Sequence, residues 1–299
     1  MNFVESWGRL QVKGTKTMNE KGQEVQLKGI STHGIVEFER FVNKEAFQTW
    51  KDYGANCIRL AMYTDPNEGY TKAAHEIMKR GVSYVTELGM YVTIDWHILA
   101  DHDPMMTIEG AKEFFENMSM EFKDQKNIIY EICNEPNGEN ITWADKIKPY
   151  AEQVIPVIRN NDKNAIIIVG TPTWSQDVDI VAKDPLKGYE NVMYALHFYA
   201  ASHKKIIQNK MVAAIKAGLP VFVSEYGVCD ASGNGINDFD ESDHWVELMN
   251  QYGVSYMAWN LSNKDEASAM ILSDCNKTSG WTLEELNDSG KWVAKMLGK

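Results

Sequence analysis

Cysteine is scarce in this chain: Cys57, Cys133, Cys229 and Cys275 are the only four among 299 residues, and no two form a CxxC pair. Such spacing excludes a disulfide framework or a thiolate metal site, and three of the four stand in or beside apolar runs that suit buried thiols. Eight prolines and 21 glycines are too few for a low-complexity linker. No apolar run reaches the roughly 18 residues that a membrane span needs. The opening MNFVESWGRL lacks a basic region followed by an apolar core, so no secretory signal is expected in it, and a mature chain would read the same way. Positive charge is in deficit as well, with 30 Lys and Arg against 42 Asp and Glu, a net charge of −12. Nucleic acids and anionic lipid surfaces would be repelled by that surplus, whereas a neutral substrate would not.

What the chain does have is an ordinary globular balance, 44% hydrophobic and 24% charged. A chain of this length buries roughly 75% of the surface its unfolded form exposes, so it needs no covalent staple. Eight short β-branched or aromatic runs recur: Val25–Ser31, Asn56–Tyr63, Met90–His97, Ile128–Asn134, Ala165–Thr171, Val192–Tyr199, Val221–Tyr226 and Tyr256–Leu261. Longer helical patterns separate them. In Thr71–Leu88, Ala74, Ile77, Met78, Val82, Val85 and Leu88 share one stripe, and Gly89 offers a left-handed stop. Runs this continuously apolar suit a parallel sheet covered by helices. Eight strand–helix units in about 300 residues predict a (β/α)8 barrel, the TIM-barrel architecture. A doubly wound open sheet would want a glycine-rich phosphate loop after its first strand, and Gly29-Ile30-Ser31-Thr32-His33-Gly34 is not one. Leu10 to Gln26 alternates around Gly14 and Gly22 and reads as a hairpin closing the barrel bottom, with residues 1–26 as that region and 1–299 as one catalytic domain.

Active sites of such barrels lie at the C-terminal ends of the strands. Polar and aromatic residues gather at those ends: Arg59 and Tyr63, then Asp95, Trp96 and His97, then Asn134 and Glu135, then Trp174, His197 and Tyr199, Glu225 and Tyr226, and Trp259 and Asn260. Glu135 and Glu225 end the fourth and seventh runs, and only a closed barrel brings them together. Two carboxylates facing each other across a polar, aromatic cleft are what glycosidic cleavage requires.

These residues also carry a resemblance. Ser31-Thr32-His33-Gly34, Arg59 in Ile58–Tyr63, Asp95-Trp96-His97, Ile129–Pro136, Thr173–Asp179, His197-Phe198-Tyr199, Ser224-Glu225-Tyr226-Gly227 and Trp259–Glu266 run in order along nearly the whole chain. Together they resemble glycoside hydrolase family 5, in particular its bacterial endo-β-1,4-glucanase branch. The resemblance implies a retaining mechanism with Glu225 as nucleophile and Glu135 as acid/base. It further implies that Arg59 and Tyr199 hold the nucleophile, Asn134 bonds the sugar 2-hydroxyl, and His197 orients the acid/base region. His33, Tyr63 and His97 then become glycone contacts. Trp259 becomes the platform under the cleaved sugar and Trp174 one on the leaving-group side, with Lys264, Glu266 and the Ala231 backbone as further sugar contacts. A β-1,4-glucan substrate, a secreted or cell-surface location, a monomer and no cofactor follow from the same resemblance. No binding module is recognised in these residues, so soluble or amorphous glucan is the expected substrate form. Two positions depart from the branch: Val36-Glu37-Phe38 stands where it carries a stacking Trp, and Tyr226 follows the nucleophile in place of Trp or Phe.

Other readings lead elsewhere. β-Mannanase, xylanase, mixed-linkage glucanase and xyloglucanase activities share the barrel and differ by a few subsite hydrogen bonds. A non-catalytic carbohydrate-binding barrel would keep the aromatics without needing Glu135, Glu225, Arg59, Asn134 and Tyr199. Strand-end His33, His97 and His197 could suggest a metal, but the HxH pair of such barrels is missing. Asp230–Gly235 with Glu241 imitates a calcium loop, yet a strand precedes it where a helix is required. His75, His102, His203 and His244 are expected to have no role.

Overall fold

The computed structural model describes residues 1–298. A hairpin of β1 (Gln11–Lys13) and β2 (Lys16–Met18) precedes eight parallel strands that close on themselves. These are β3 (Lys28–Thr32), β4 (Cys57–Tyr63), β5 (Tyr91–His97), β6 (Ile128–Glu131), β7 (Ile166–Val169), β8 (Val192–Tyr199), β9 (Val221–Gly227) and β10 (Tyr256–Leu261). β10 pairs with both β9 and β3, so the sheet is the expected (β/α)8 barrel and has no free edge.

The outward side chains of the strands, such as Ile58, Leu60 and Met62 on β4, pack under the helices in one large apolar layer. The helix Ala74–Glu87 contributes Met78, Val82 and Val85 to that layer, as its stripe predicts. Gly89 follows it at φ 66°, and a Cβ there would strike the Asn2 side chain at 2.3 Å. Gly29 on β3 is fixed for a different reason: a Cβ would stand 2.0 Å from the Cys57 carbonyl oxygen of the adjoining strand.

The inward side chains form a second cluster at the lower end, made of Cys57, Tyr91, Ile129, Ile166, Ile168, Met193, Ala195, Phe222 and Met257 with Leu10, Val25 and Leu27. Val12 of the hairpin packs against this cluster, as do Phe3, Val4 and Trp7 of a short helix, Phe3–Trp7, that the sequence pattern does not reveal. A five-residue helix has too few turns to show a period.

Three differences from expectation bear on the layout of the barrel. β3 begins at Lys28 instead of Val25, because Val25 and Leu27 belong to the lower plug. β6 ends at Glu131, so Asn134 and Glu135 lie beyond the strand in an extended segment. That segment is fastened to the neighbouring loop by Glu135 N–H to the Ile98 carbonyl (3.1 Å) and Asn134 Nδ2 to the same carbonyl (3.0 Å). After β7 there are only the short turns Pro172–Ser175 and Val178–Val181 instead of a long helix, and the first of them presents Trp174.

Candidate active site

A cleft of roughly 560 Å³ opens at the C-terminal ends of the strands. Glu135, Glu225 and Tyr199 line it, together with His33, Tyr63, His97, Trp174, Ala231, Trp259, Lys264 and Glu266. Arg59, Asn134 and His197 are buried beneath. The expected set is thus brought to one place.

Arg59, fully buried, is the hub. Its Nε donates to Glu131 (2.7 Å), Nη1 to Glu225 Oε2 (3.0 Å), and Nη2 to Asn134 Oδ1 (2.6 Å), while Asp95 Oδ2 stands 3.0 Å from Nη2. Burial alone would pull the guanidinium down, but Asp95, Glu131 and Glu225 outweigh it and hold Arg59 above its ordinary value. Burial likewise opposes ionisation of Glu131, and the charge of Arg59 overcomes it, bringing that carboxyl down to about 2. Asp95 goes the other way: burial raises it well above the ordinary carboxyl range despite Arg59.

Tyr199 Oη donates to Glu225 Oε1 (2.8 Å). Each Glu225 oxygen therefore has its own donor, and the carboxyl group cannot turn. Ser224 Oγ donates to Glu131 (2.7 Å) and bonds His197 Nε2 (2.9 Å), and His197 Nδ1 bonds Glu135 Oε1 (2.9 Å). Burial would strip His197 of its proton, but hydrogen bonds with Glu131 and Glu135 raise it to about 9. The imidazolium thus donates to Glu135 and fixes that carboxyl.

One irregularity makes this geometry possible. β8 and β9 pair Ala195 with Phe222 and then His197 with Glu225, so β9 carries one residue more than its partner over that interval. The bulge turns consecutive Ser224 and Glu225 toward the interior, one to each half of the network. Strict alternation would send Glu225 into the helix layer.

Glu135, His197 and Glu225 each offer an atom within 4.8 Å of the others. Such a group could hold a cation, but both His197 nitrogens are engaged and its proton is retained, which leaves no lone pair for an ion. The same 4.8 Å has a direct chemical meaning. Retaining glycosidases place their carboxyl groups about 5–5.5 Å apart and inverting ones about 6.5–9.5 Å.

With this geometry in place, the family model described as cellulase (glycosyl hydrolase family 5) matches residues 18–265. The chain belongs to glycosyl hydrolase family 5. It is 46% identical to an endoglucanase of Clostridium saccharobutylicum over 97% of this chain and 65% of that protein, and 46% identical to endoglucanase A of Butyrivibrio fibrisolvens over 99% and 70%. The chain therefore spans about two thirds of the length of these relatives. Among solved structures, the catalytic domain of Thermobifida fusca endoglucanase Cel5A in complex with cellotetraose superposes with a TM-score of 0.94, at 36% identity and full coverage of both chains.

Within this family 5 site, several contributors were not singled out by the sequence. Glu131 and Ser224 complete the buried network together with the strand-end Asp95, and each of the two is a charged or hydroxyl residue inside an otherwise apolar run, a signal that could have found them. Leu99, Gln176, His203, Ser232 and Gly233 also line the cleft. His203, expected to have no role, has its Nδ1 accepting the Tyr199 N–H (2.9 Å), so a helix-flanking histidine forms part of the wall. His97 shares a 2.6 Å hydrogen bond with Asp95, and burial lowers it to about 3, so it stands neutral under Trp259, whose ring is 5.2 Å away. Phe38 packs on His33 with ring centroids 4.8 Å apart, while Glu37 is exposed. In the loop that imitates a calcium site, Asp230 accepts two bonds from Ser232 and Glu241 accepts from Gln208, so the two carboxylates are turned to separate partners.

Proposed function

We propose that this chain is a secreted, retaining endo-β-1,4-glucanase in which Glu225 is the nucleophile and Glu135 the acid/base. The observation that carries the reading is the spacing of the two carboxyl groups, with oxygens within 4.8 Å. In the first step a Glu225 oxygen attacks the anomeric carbon while Glu135 gives its proton to the departing glycosidic oxygen. A covalent glycosyl ester forms and the shortened chain leaves. In the second step Glu135 takes a proton from water, whose oxygen replaces Glu225 at the same carbon. Two inversions restore the β configuration.

Arg59 and Tyr199, one on each Glu225 oxygen, aim the attacking lone pair and stabilise the carboxylate when the ester breaks. Asn134 has its Oδ1 occupied by Arg59 and one amide N–H by the Ile98 carbonyl, so its second N–H, 3.4 Å from His97 Nε2, is the one left to meet the sugar 2-hydroxyl. Trp259 lies under the cleaved glucose and Trp174, 44% exposed, under the leaving-group sugar. His33, Tyr63, His97, Lys264 and Glu266 supply the glycone contacts, and the Ala231 backbone a further sugar contact. The cellotetraose bound by the Thermobifida relative supports a β-1,4-linked glucose chain in this cleft. A long β-1,4-glucan polymer does not enter cells, which argues for action outside them. Residues 1–299 act as one catalytic unit and as a monomer.

The test is viscosity loss of carboxymethylcellulose set against reducing-end release, with Glu225→Gln as control. A fast viscosity drop that the variant lacks is expected. No drop from folded protein would overturn the glucanase reading and bring mannan and xylan forward.

A further inference from the structure

Thr173 (φ 57°, ψ 60°), Trp174 (φ 54°, ψ 47°) and Ser175 (φ 55°) are three consecutive non-glycine residues in the left-handed region. Each is disfavoured by about 1–3 kcal/mol, and such a run persists only where the surroundings over-determine it. One side of this turn is tied to the Glu135 segment. Trp174 N–H donates to the Pro136 carbonyl (3.2 Å) and Ser175 Oγ to the Asn134 carbonyl (2.6 Å). Those bonds set the backbone below the indole. They do not restrain the outer face of the turn, and the half-exposed indole has little packing of its own.

The outer face is held by Asp177. Its Oδ2 accepts from Thr173 Oγ1 (2.7 Å) and its Oδ1 from Lys210 Nζ (2.5 Å), which reaches over from the helix Lys205–Lys216. The Asp177 side chain is 13% exposed and that of Lys210 28%, so this bridge is partly shielded from solvent. Neither residue lines the cleft.

We propose that Asp177, clasped between Thr173 and Lys210, is a positioning residue that sets the plane of Trp174 and thereby the preference for substrates with a sugar on the leaving-group side. The inference rests on the reading of Trp174 as a sugar platform. A tilted platform loses contact with that sugar and leaves the buried carboxyl network, anchored through Arg59 and His197, in place.

The experiment compares cellopentaose with β-cellobiosyl fluoride, whose fluoride departs and leaves the leaving-group side empty of sugar. Asp177→Ala and Lys210→Met should each lower kcat/KM on cellopentaose roughly tenfold, mostly through KM, while the fluoride is hydrolysed within about twofold of the parent rate. Lys210→Arg keeps the bridge and should restore cellopentaose turnover. Fluoride hydrolysis also certifies that each variant is folded. Unchanged cellopentaose kinetics, or an equal fall on both substrates, would overturn the clasp alone. A parent inert to both substrates would overturn the glucanase reading, and the clasp with it.

Discussion

The two halves of one barrel interior are built on opposite principles. On β4, Cys57 belongs to the lower plug, and Arg59, two residues on, is the hub of a charged network. The same step takes Ile129 to Glu131 on β6, Ala195 to His197 on β8 and Phe222 to Ser224 on β9. Side chains two apart on a strand share a face, so one step along each of these four strands changes the medium. The lower half is stabilised by apolar burial, which depends on volume far more than on residue identity. In the upper half each buried charge is tolerable only while its partner is present. The candidate site is confined to the half that depends on partners.

The sharpest way to break this comparison is Arg59→Met. It should lower kcat/KM by roughly 10³-fold and destabilise the fold by about 3–5 kcal/mol, because Glu131 and Glu225 lose their buried counter-charge. A chemical melt with unchanged stability would show that the upper half does not rest on charge compensation. Phe222→Ala in the plug should cost a similar 3–5 kcal/mol through a cavity, yet leave the kcat of the folded fraction unchanged. Loss of kcat at full occupancy of the fold would mean that the two halves are coupled.

A smaller effect separates the halves by pH. His197 is raised to about 9 in the folded state, so its contribution is complete below its ordinary value of 6.5 and is lost as pH rises through 9. His33 and His97 are lowered to about 4 and about 3, mainly by burial. There the unfolded chain binds the protons that the folded one refuses, so stability falls as pH drops below 6.5. Together these groups predict a stability maximum near pH 6.5. Thermal melts from pH 5 to 9 should show it, and His197→Gln should flatten the alkaline limb. An unaltered limb would remove His197 from the charge network. The smallest effect concerns the thiols. Burial pushes Cys57 and Cys229 up to about 12 and raises Cys133 as well, so a native-state thiol reagent should label only the half-buried Cys275 quickly. Rapid labelling of Cys57 would mean that the plug opens.

The lower half was the easier to read. Its apolar runs and Gly89 stops follow from local propensity, and β8 and β10 begin and end where the runs do. The upper half was legible as a gathering of Glu135, Glu225, Arg59 and their neighbours, but its wiring was not. Glu131 and Ser224 act through contacts 27 to 93 residues away in the chain, and Asp95 meets the distant Arg59 as well as the nearby His97, wiring that no local pattern encodes. The β9 bulge, which turns Ser224 and Glu225 inward together, depends on the register of three strands. The left-handed turn under Trp174 is set by Asn134, Pro136, Asp177 and Lys210, so the expected fifth helix gives way to a short turn there.

The most direct test of the central claim, that Glu135 and Glu225 act as a close retaining pair, is the anomeric configuration of the first product. Proton NMR of cello-oligosaccharide hydrolysis in its earliest minutes should show the β anomer appearing first, with the α anomer growing in by mutarotation. An initial α product would mean direct displacement by water and would contradict the close pair, with carboxyl oxygens within 4.8 Å, as the working geometry.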